Sequence, residues 1–164
     1  MSYWRLYYHL VWGTKNRQPL LTPEVEPIIY KYLFQKAGRL EAVVHALNGI
    51  EDHIHMVASI PPKIAVSKFV GQIKATASTR YNKGDYGEDD FFWQAEFGVF
   101  SFDRKRLPNC VSYVERQKEH HANGTTIRVL EQMESVNTQV IRKAPALYLV
   151  EDSAWRREME LLGD

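Results

Sequence analysis

The 164-residue chain has a single cysteine, Cys110. That excludes an internal disulfide and a cysteine-built zinc site, and it fits a reducing, cytoplasmic setting. Long apolar runs are also missing, so the sequence offers no membrane span. The start, Met1-Ser2-Tyr3-Trp4-Arg5, lacks the basic and apolar stretches of a signal peptide. Net charge is nearly absent at +1, so any basic surface for a nucleic acid has to be local. There is no Walker loop and no His-Glu-x-x-His element, so neither an ATP site nor a zincin helix is expected. Internal repeats and low-complexity segments are lacking too. What remains is 45% apolar and 25% charged, the balance of one globular domain with a real core.

Acidic residues are absent from two stretches, Met1 to Pro23 and His53 to Gly84. The first holds Arg5, Lys15 and Arg17; the second holds Lys63, Lys68, Lys74, Arg80 and Lys83. Tyr8, Trp12, Phe69 and Tyr81 are interleaved with them. Local positive charge with aromatic faces suits a single strand of nucleic acid, through phosphate contacts and base stacking. A merely solvated helix face would carry the same charges.

The order of elements reads as follows. Tyr3 to Gly13 is a strand. Thr22-Pro23 opens a helix whose apolar residues Ile28, Ile29, Tyr32 and Leu33 run towards a stop at Gly38. Leu40 to Leu47 is a second strand, Asn48-Gly49 a hairpin turn, and Ile50 to Ile60 a third strand ended by Pro61-Pro62. Residues 64–81 form a second helix, Lys83 to Asp90 a loop and Phe97 to Phe102 a fourth strand. Pro108 to about His121 is a third helix, closed by Asn123-Gly124. Beyond it, helices are expected around Ile127 to Val140 and Ser153 to Leu162. The order βαββαβ predicts an α+β, ferredoxin-like split βαβ fold, an antiparallel sheet with helices on one face.

The chemistry concentrates in Asp52-His53-Ile54-His55. Strand side chains alternate between faces, so His53 and His55 share one face. Two imidazoles on a rigid face are half of a divalent metal site. In the third helix Tyr113, Gln117 and His120 or His121 lie on one side, opposite Cys110, Val111 and Val114. Taken alone, that tyrosine reads as half-buried with its hydroxyl in water. Histidine-triad hydrolases need a further histidine where Val57 stands. Two-histidine phosphoesterases need a second His-x-Thr/Ser/His element, which His9, His45, His120 and His121 do not head.

Together the segments resemble a known family, the single-tyrosine HUH transposases of the smallest bacterial insertion sequences and their REP-associated relatives. The resemblance rests on Tyr8-His9-Leu10-Val11-Trp12-Gly13-Thr14-Lys15-Asn16-Arg17, Glu51-Asp52-His53-Ile54-His55-Met56 and Ile60-Pro61-Pro62-Lys63. It continues in Trp93-Gln94-Ala95-Glu96-Phe97-Gly98 and Tyr113-Val114-Glu115-Arg116-Gln117-Lys118-Glu119-His120-His121. The segments follow the family's order over roughly residues 3–122.

The resemblance implies Tyr113 as nucleophile and His53, His55 and Gln117 as ligands of Mg²⁺ or Mn²⁺. It implies cutting and rejoining of hairpin-bearing single-stranded DNA through a 5′-phosphotyrosine, without ATP or another nucleotide cofactor. It further implies a homodimer, a mobile tyrosine helix (about residues 108–122), a nuclease domain over residues 1–124, and a helical tail over residues 125–164 for dimer or DNA contacts. Lys15, Arg17, Lys74 and Arg80 are the expected contacts to the DNA backbone. A domesticated hairpin-binding relative with a regulatory role, or a dimeric interaction domain without chemistry, would carry much the same sequence. The chain departs from the family at Lys74-Ala75-Thr76-Ala77-Ser78, where relatives often have Lys-Gly-x-Ser/Thr-Ser, and after His121.

Overall fold

Four strands form one antiparallel sheet in the order β2-β3-β1-β4. The computed structural model describes residues 2–87, 89–134 and 153–162. The strands are β1 (Tyr7–Gly13), β2 (Val43–Ile50), β3 (His53–Ser59) and β4 (Gly98–Phe102). The helices are α1 (Glu26–Arg39), α2 (Val66–Lys83), α3 (Leu107–Glu115), α4 (Gln117–Asn123) and α5 (Ser153–Leu162). The sequence of elements and the strand order are those of the expected ferredoxin-like α+β fold.

Alternation along the two central strands decides what each face carries. Leu10 and Trp12 of β1, with Ile54, Met56 and Ala58 of β3, turn to one face and are buried there. They meet Ile29, Leu33 and Ala37 of α1 and Phe69, Val70, Ile73 and Ala77 of α2. Each large apolar side chain buried in this layer contributes about 1.5–3 kcal/mol. The opposite face carries His9, His53, His55 and Val57. There Val57 packs with Ala46 against Val114, which seats α3 on the sheet.

Four local expectations are corrected. The first strand begins at Tyr7, not Tyr3. The hairpin turns at Glu51-Asp52, while Asn48 and Gly49 stay in β2, paired with His55 and Ile54. Gly49 is needed there for closeness rather than for turning: a Cβ would lie 2.2 Å from the His53 carbonyl oxygen. Asn48 is used as a brace, its Nδ2 donating to the Glu115 carbonyl and its Oδ1 accepting from Lys118 Nζ. The tyrosine helix is two helices, broken at Arg116, where φ is −101° and ψ 22°. Finally, Ile127 to Glu134 holds only a single 3₁₀ turn at Arg128–Leu130 in place of the expected helix. The rest of that expected helix, residues 135–140, lies outside the described residues. The expected C-terminal helix is present as α5. No helix among the described residues is long and apolar enough to cross a membrane.

Candidate active site

The two strand histidines sit side by side on the face covered by α3 and α4, both essentially sealed from solvent at 1% and 0% exposure. Their Nδ1 atoms are held from behind. His53 Nδ1 lies 2.6 Å from Asp52 Oδ1, in the tight turn, and His55 Nδ1 lies 2.9 Å from Nε2 of His9, itself buried on β1. Their Nε2 atoms point at one oxygen. Glu131 Oε2 accepts from His53 Nε2 at 3.0 Å and from His55 Nε2 at 3.1 Å. Pinning the rear nitrogen is how a protein fixes the orientation and tautomer of a metal-binding imidazole.

Tyr113 comes to the same carboxylate from α3. Its hydroxyl donates to Glu131 Oε1 at 2.5 Å and accepts from the Ile127 backbone N–H at 2.9 Å. Its ring lies 6.0 Å from that of His55, edge-on, so the tyrosine and the histidines meet within one chain. The break at Arg116 then carries α4 past the site. His120 stacks on Tyr113 at 4.8 Å, and the His121 ring lies 4.8 Å from that of His53. His121 Nε2 is 3.5 Å from Glu131 Oε2.

The electrostatics follow from burial. Desolvation, and then the neighbouring His55, push His9 down to about 3, so it stays neutral. Burial likewise lowers His55, against the pull of Glu131. Burial alone would raise Glu131, but the hydrogen bonds from His53 and His55 outweigh it and hold the carboxyl far below the usual carboxylate range. Burial, with the bond to Glu131, pushes the Tyr113 phenol upward. With Nε2 donating to Glu131, a neutral His55 must accept at Nδ1, so His9 donates.

The residue types fit a divalent cation. His53, His55, His121 and Glu131 each place a ligand atom within 4.8 Å of the others. Nitrogen mixed with carboxylate oxygen suits Mn²⁺ and is tolerated by Mg²⁺. One more acceptor, Gln117 Oε1, is buried without a hydrogen-bond partner among the described residues, as is His121 Nε2 of this set. Gln117 is fully buried, with its Nε2 donating to the Tyr113 carbonyl at 3.3 Å.

The four expected basic contacts separate. Arg17 is at the site, with its guanidinium 3.2 Å from Asp52 and Nη2 3.3 Å from His53 Nδ1. Lys15 is exposed, its ammonium 5.5 Å from the Phe92 ring centre. Arg80 is on α2, across the sheet from the histidines, stacked over Tyr32 and donating to Gln35. Lys74 does not fit the expectation. It is 7% exposed and donates to the carbonyls of Gln94, Ala95 and Glu96 at 2.7–3.3 Å, which leaves no ammonium for a phosphate.

Reading the sequence missed His9 and Glu131. His9 was within reach of strand alternation, but only the β1–β3 register, Val11 opposite His55 and His9 opposite Val57, makes it a diagonal neighbour of His55. Glu131 has no signal in its local sequence.

The fold and this constellation define a class: an α+β domain that sets two strand histidines and a helix tyrosine around one carboxylate, in a cluster suited to a metal. The chain belongs to the IS200-like transposase family, whose model matches residues 2–117. It is 25% identical over 132 residues to the transposase for insertion sequence element IS200 of Salmonella typhimurium, covering 77% of this chain and 86% of that one. It is 30% identical over 77 residues to the ISDra2 transposase TnpA of Deinococcus radiodurans, covering 47% and 55%. Among solved structures it is similar to a REP-associated tyrosine transposase bound to a REP hairpin, with a TM-score of 0.56 and 15% identity over 77% of this chain and 76% of that one. It is also similar to a candidate transposase from Deinococcus radiodurans R1, with a TM-score of 0.54 and 23% identity over 71% and 95%.

Proposed function

We propose that the chain cuts and rejoins single-stranded DNA at hairpin-marked ends, through a covalent link to Tyr113 and with Mg²⁺ or Mn²⁺ but no nucleotide cofactor. The observation that carries this is the shared carboxylate: the Tyr113 hydroxyl and both histidine Nε2 atoms converge on Glu131. Family membership supplies the reaction class, and the hairpin bound by a REP-associated relative supports the form of the substrate.

At rest Tyr113 is a protonated phenol, because burial and its bond to Glu131 both favour that form. Such a group is a weak nucleophile near neutral pH. A divalent cation held by His53 and His55, with Gln117 as the expected further ligand, would draw charge from the scissile phosphate and favour in-line attack. Tyr113 loses its proton and its oxygen bonds to phosphorus; the bond from phosphorus to the 3′ oxygen breaks, and that oxygen leaves as a 3′-hydroxyl after taking up a proton. The downstream strand is left as a 5′-phosphotyrosine. Because one phosphodiester is exchanged for another, a second 3′-hydroxyl can reverse the step and join strands without ATP. Lys15 and Arg17, on the chain leaving β1 beside the site, are the backbone contacts in this reading. The active form is taken to be a homodimer.

The test uses end-labelled single strands bearing a hairpin, with Mn²⁺ or Mg²⁺. A covalent protein–DNA adduct is expected from the wild type and none from Tyr113→Phe. An adduct that persists in Tyr113→Phe would remove the nucleophile from this scheme. Hairpin binding without cleavage under either metal would favour a binding module.

A further inference from the structure

The segment after α4 reaches the site through a set of built contacts. Leu130 and Met133 are buried at 9% and 8% exposure. The Met133 sulfur accepts from Arg17 Nη1 and Gln94 Nε2. At the start of β4, Gly98 leaves the room the segment needs, because a Cβ there would lie 1.9 Å from the Gln132 carbonyl oxygen. The Ile127 N–H is fixed by the Tyr113 hydroxyl. Between these anchors Glu131 is held over the histidines at 18% side-chain exposure.

We infer that Glu131 is itself a metal ligand, contributed by the tail, and that its second oxygen ties the Tyr113 hydroxyl to the metal's edge. This rests on the metal-dependent reading above and extends it, since the resemblance places the helix-borne ligand at Gln117 and assigns nothing to residue 131. Two of the ligand spacings match those around an octahedral ion. Two ligands on adjacent corners, each about 2.1 Å from the centre, are about 3.0 Å apart. Glu131 Oε2 is 3.0 and 3.1 Å from the two Nε2 atoms, so the carboxylate already stands at the spacing of a neighbouring ligand to each histidine. A carboxylate also supplies the negative charge that two neutral imidazoles and a neutral amide lack, and ligand charge is a main determinant of affinity for hard cations. With Oε2 on the metal, Oε1 still accepts from Tyr113, which puts the nucleophilic oxygen one carboxylate away from the ion that would grip the phosphate.

The experiment is a Mn²⁺ titration by calorimetry on the full chain, paired with water-proton relaxation to count waters on the bound ion. Wild type, Glu131→Gln, Glu131→Ala and His53→Ala are compared, each first checked for folding by melting in EDTA. Glu131→Ala should weaken Mn²⁺ binding about tenfold or more and add a coordinated water. Glu131→Gln, which keeps the shape and loses the charge, should be intermediate. Unchanged affinity and an unchanged water count in both variants would overturn the inference. Tighter binding would overturn it as well, because it would mean that the carboxylate only competes for the ion's place. His53→Ala separates the two levels. If it leaves Mn²⁺ binding intact, the metal site of the proposed function fails; if it abolishes binding while the Glu131 variants behave as wild type, only the role of Glu131 fails.

Discussion

His9 lies wholly behind the site, yet replacing it should weaken metal binding. The perturbation is His9→Phe, which conserves an aromatic ring and removes both nitrogens. With a cation on His55 Nε2, the imidazole must carry its proton on Nδ1 and donate it backwards. The group in place to accept is His9 Nε2, 2.9 Å away. Both residues are buried, at 1% and 0% exposure, so water cannot replace the lost acceptor. A buried donor left unpaired costs about 1–3 kcal/mol. Taking about 2 kcal/mol, and about 1.4 kcal/mol per tenfold, affinity should fall about thirtyfold, within the range found when outer-shell partners of metal ligands are removed. His9→Gln, whose amide oxygen can accept, should recover much of that loss. The assay is the Mn²⁺ titration, with melting in EDTA to correct for any general loss of stability. Equal affinity in wild type, His9→Phe and His9→Gln would refute the reasoning, since it would mean that the His55 tautomer is set elsewhere.

Other outcomes follow from the same contacts. Lys74 is pushed by burial from 10.5 to about 8, against the pull of Glu96. Between those values the unfolded chain keeps a proton that the folded chain has shed, so stability from this group rises with pH across that window. Urea melts at pH 8 and pH 10 should therefore show wild type gaining on Lys74→Met, by at most about 1.4 kcal/mol per pH unit; a flat difference would contradict the placement. Val114→Ala removes two buried methyls from the contact of α3 with Ala46 and Val57, and should cost about 2 kcal/mol in the same assay. Gly98→Ala should push the chain at Gln132 off β4 and lower Mn²⁺ affinity in the same direction as Glu131→Ala. Affinity unchanged in Gly98→Ala would mean that Glu131 is not positioned through that approach.

Much of the fold was legible because its elements carry their own periodicity. α1 and α2 have apolar residues at helical spacing, and β3 alternates, so their type and order could be read directly. The hairpin turn was misplaced because Asn48-Gly49 carries the local signature of a turn. Tertiary needs override it here, since Asn48 braces Glu115 and Lys118 and Gly49 allows the close approach of β3. Lys74 was misjudged for a similar reason: charge composition marks a lysine as surface, and only packing reveals the three carbonyls that hold it.

The sequence by itself determined the order of elements and the shared face of His53 and His55. These follow from periods of two and 3.6 residues, which act over a few neighbours. Only the tertiary structure decided that Glu131 spans both histidines and the tyrosine, that His9 backs His55, and that a break at Arg116 brings His121 alongside His53. Those contacts join residues 18 to 78 positions apart, or depend on one residue leaving helical geometry. Strand register, the seating of α3 by Val114 and the room left at Gly98 set them, and local periodicity encodes none of the three.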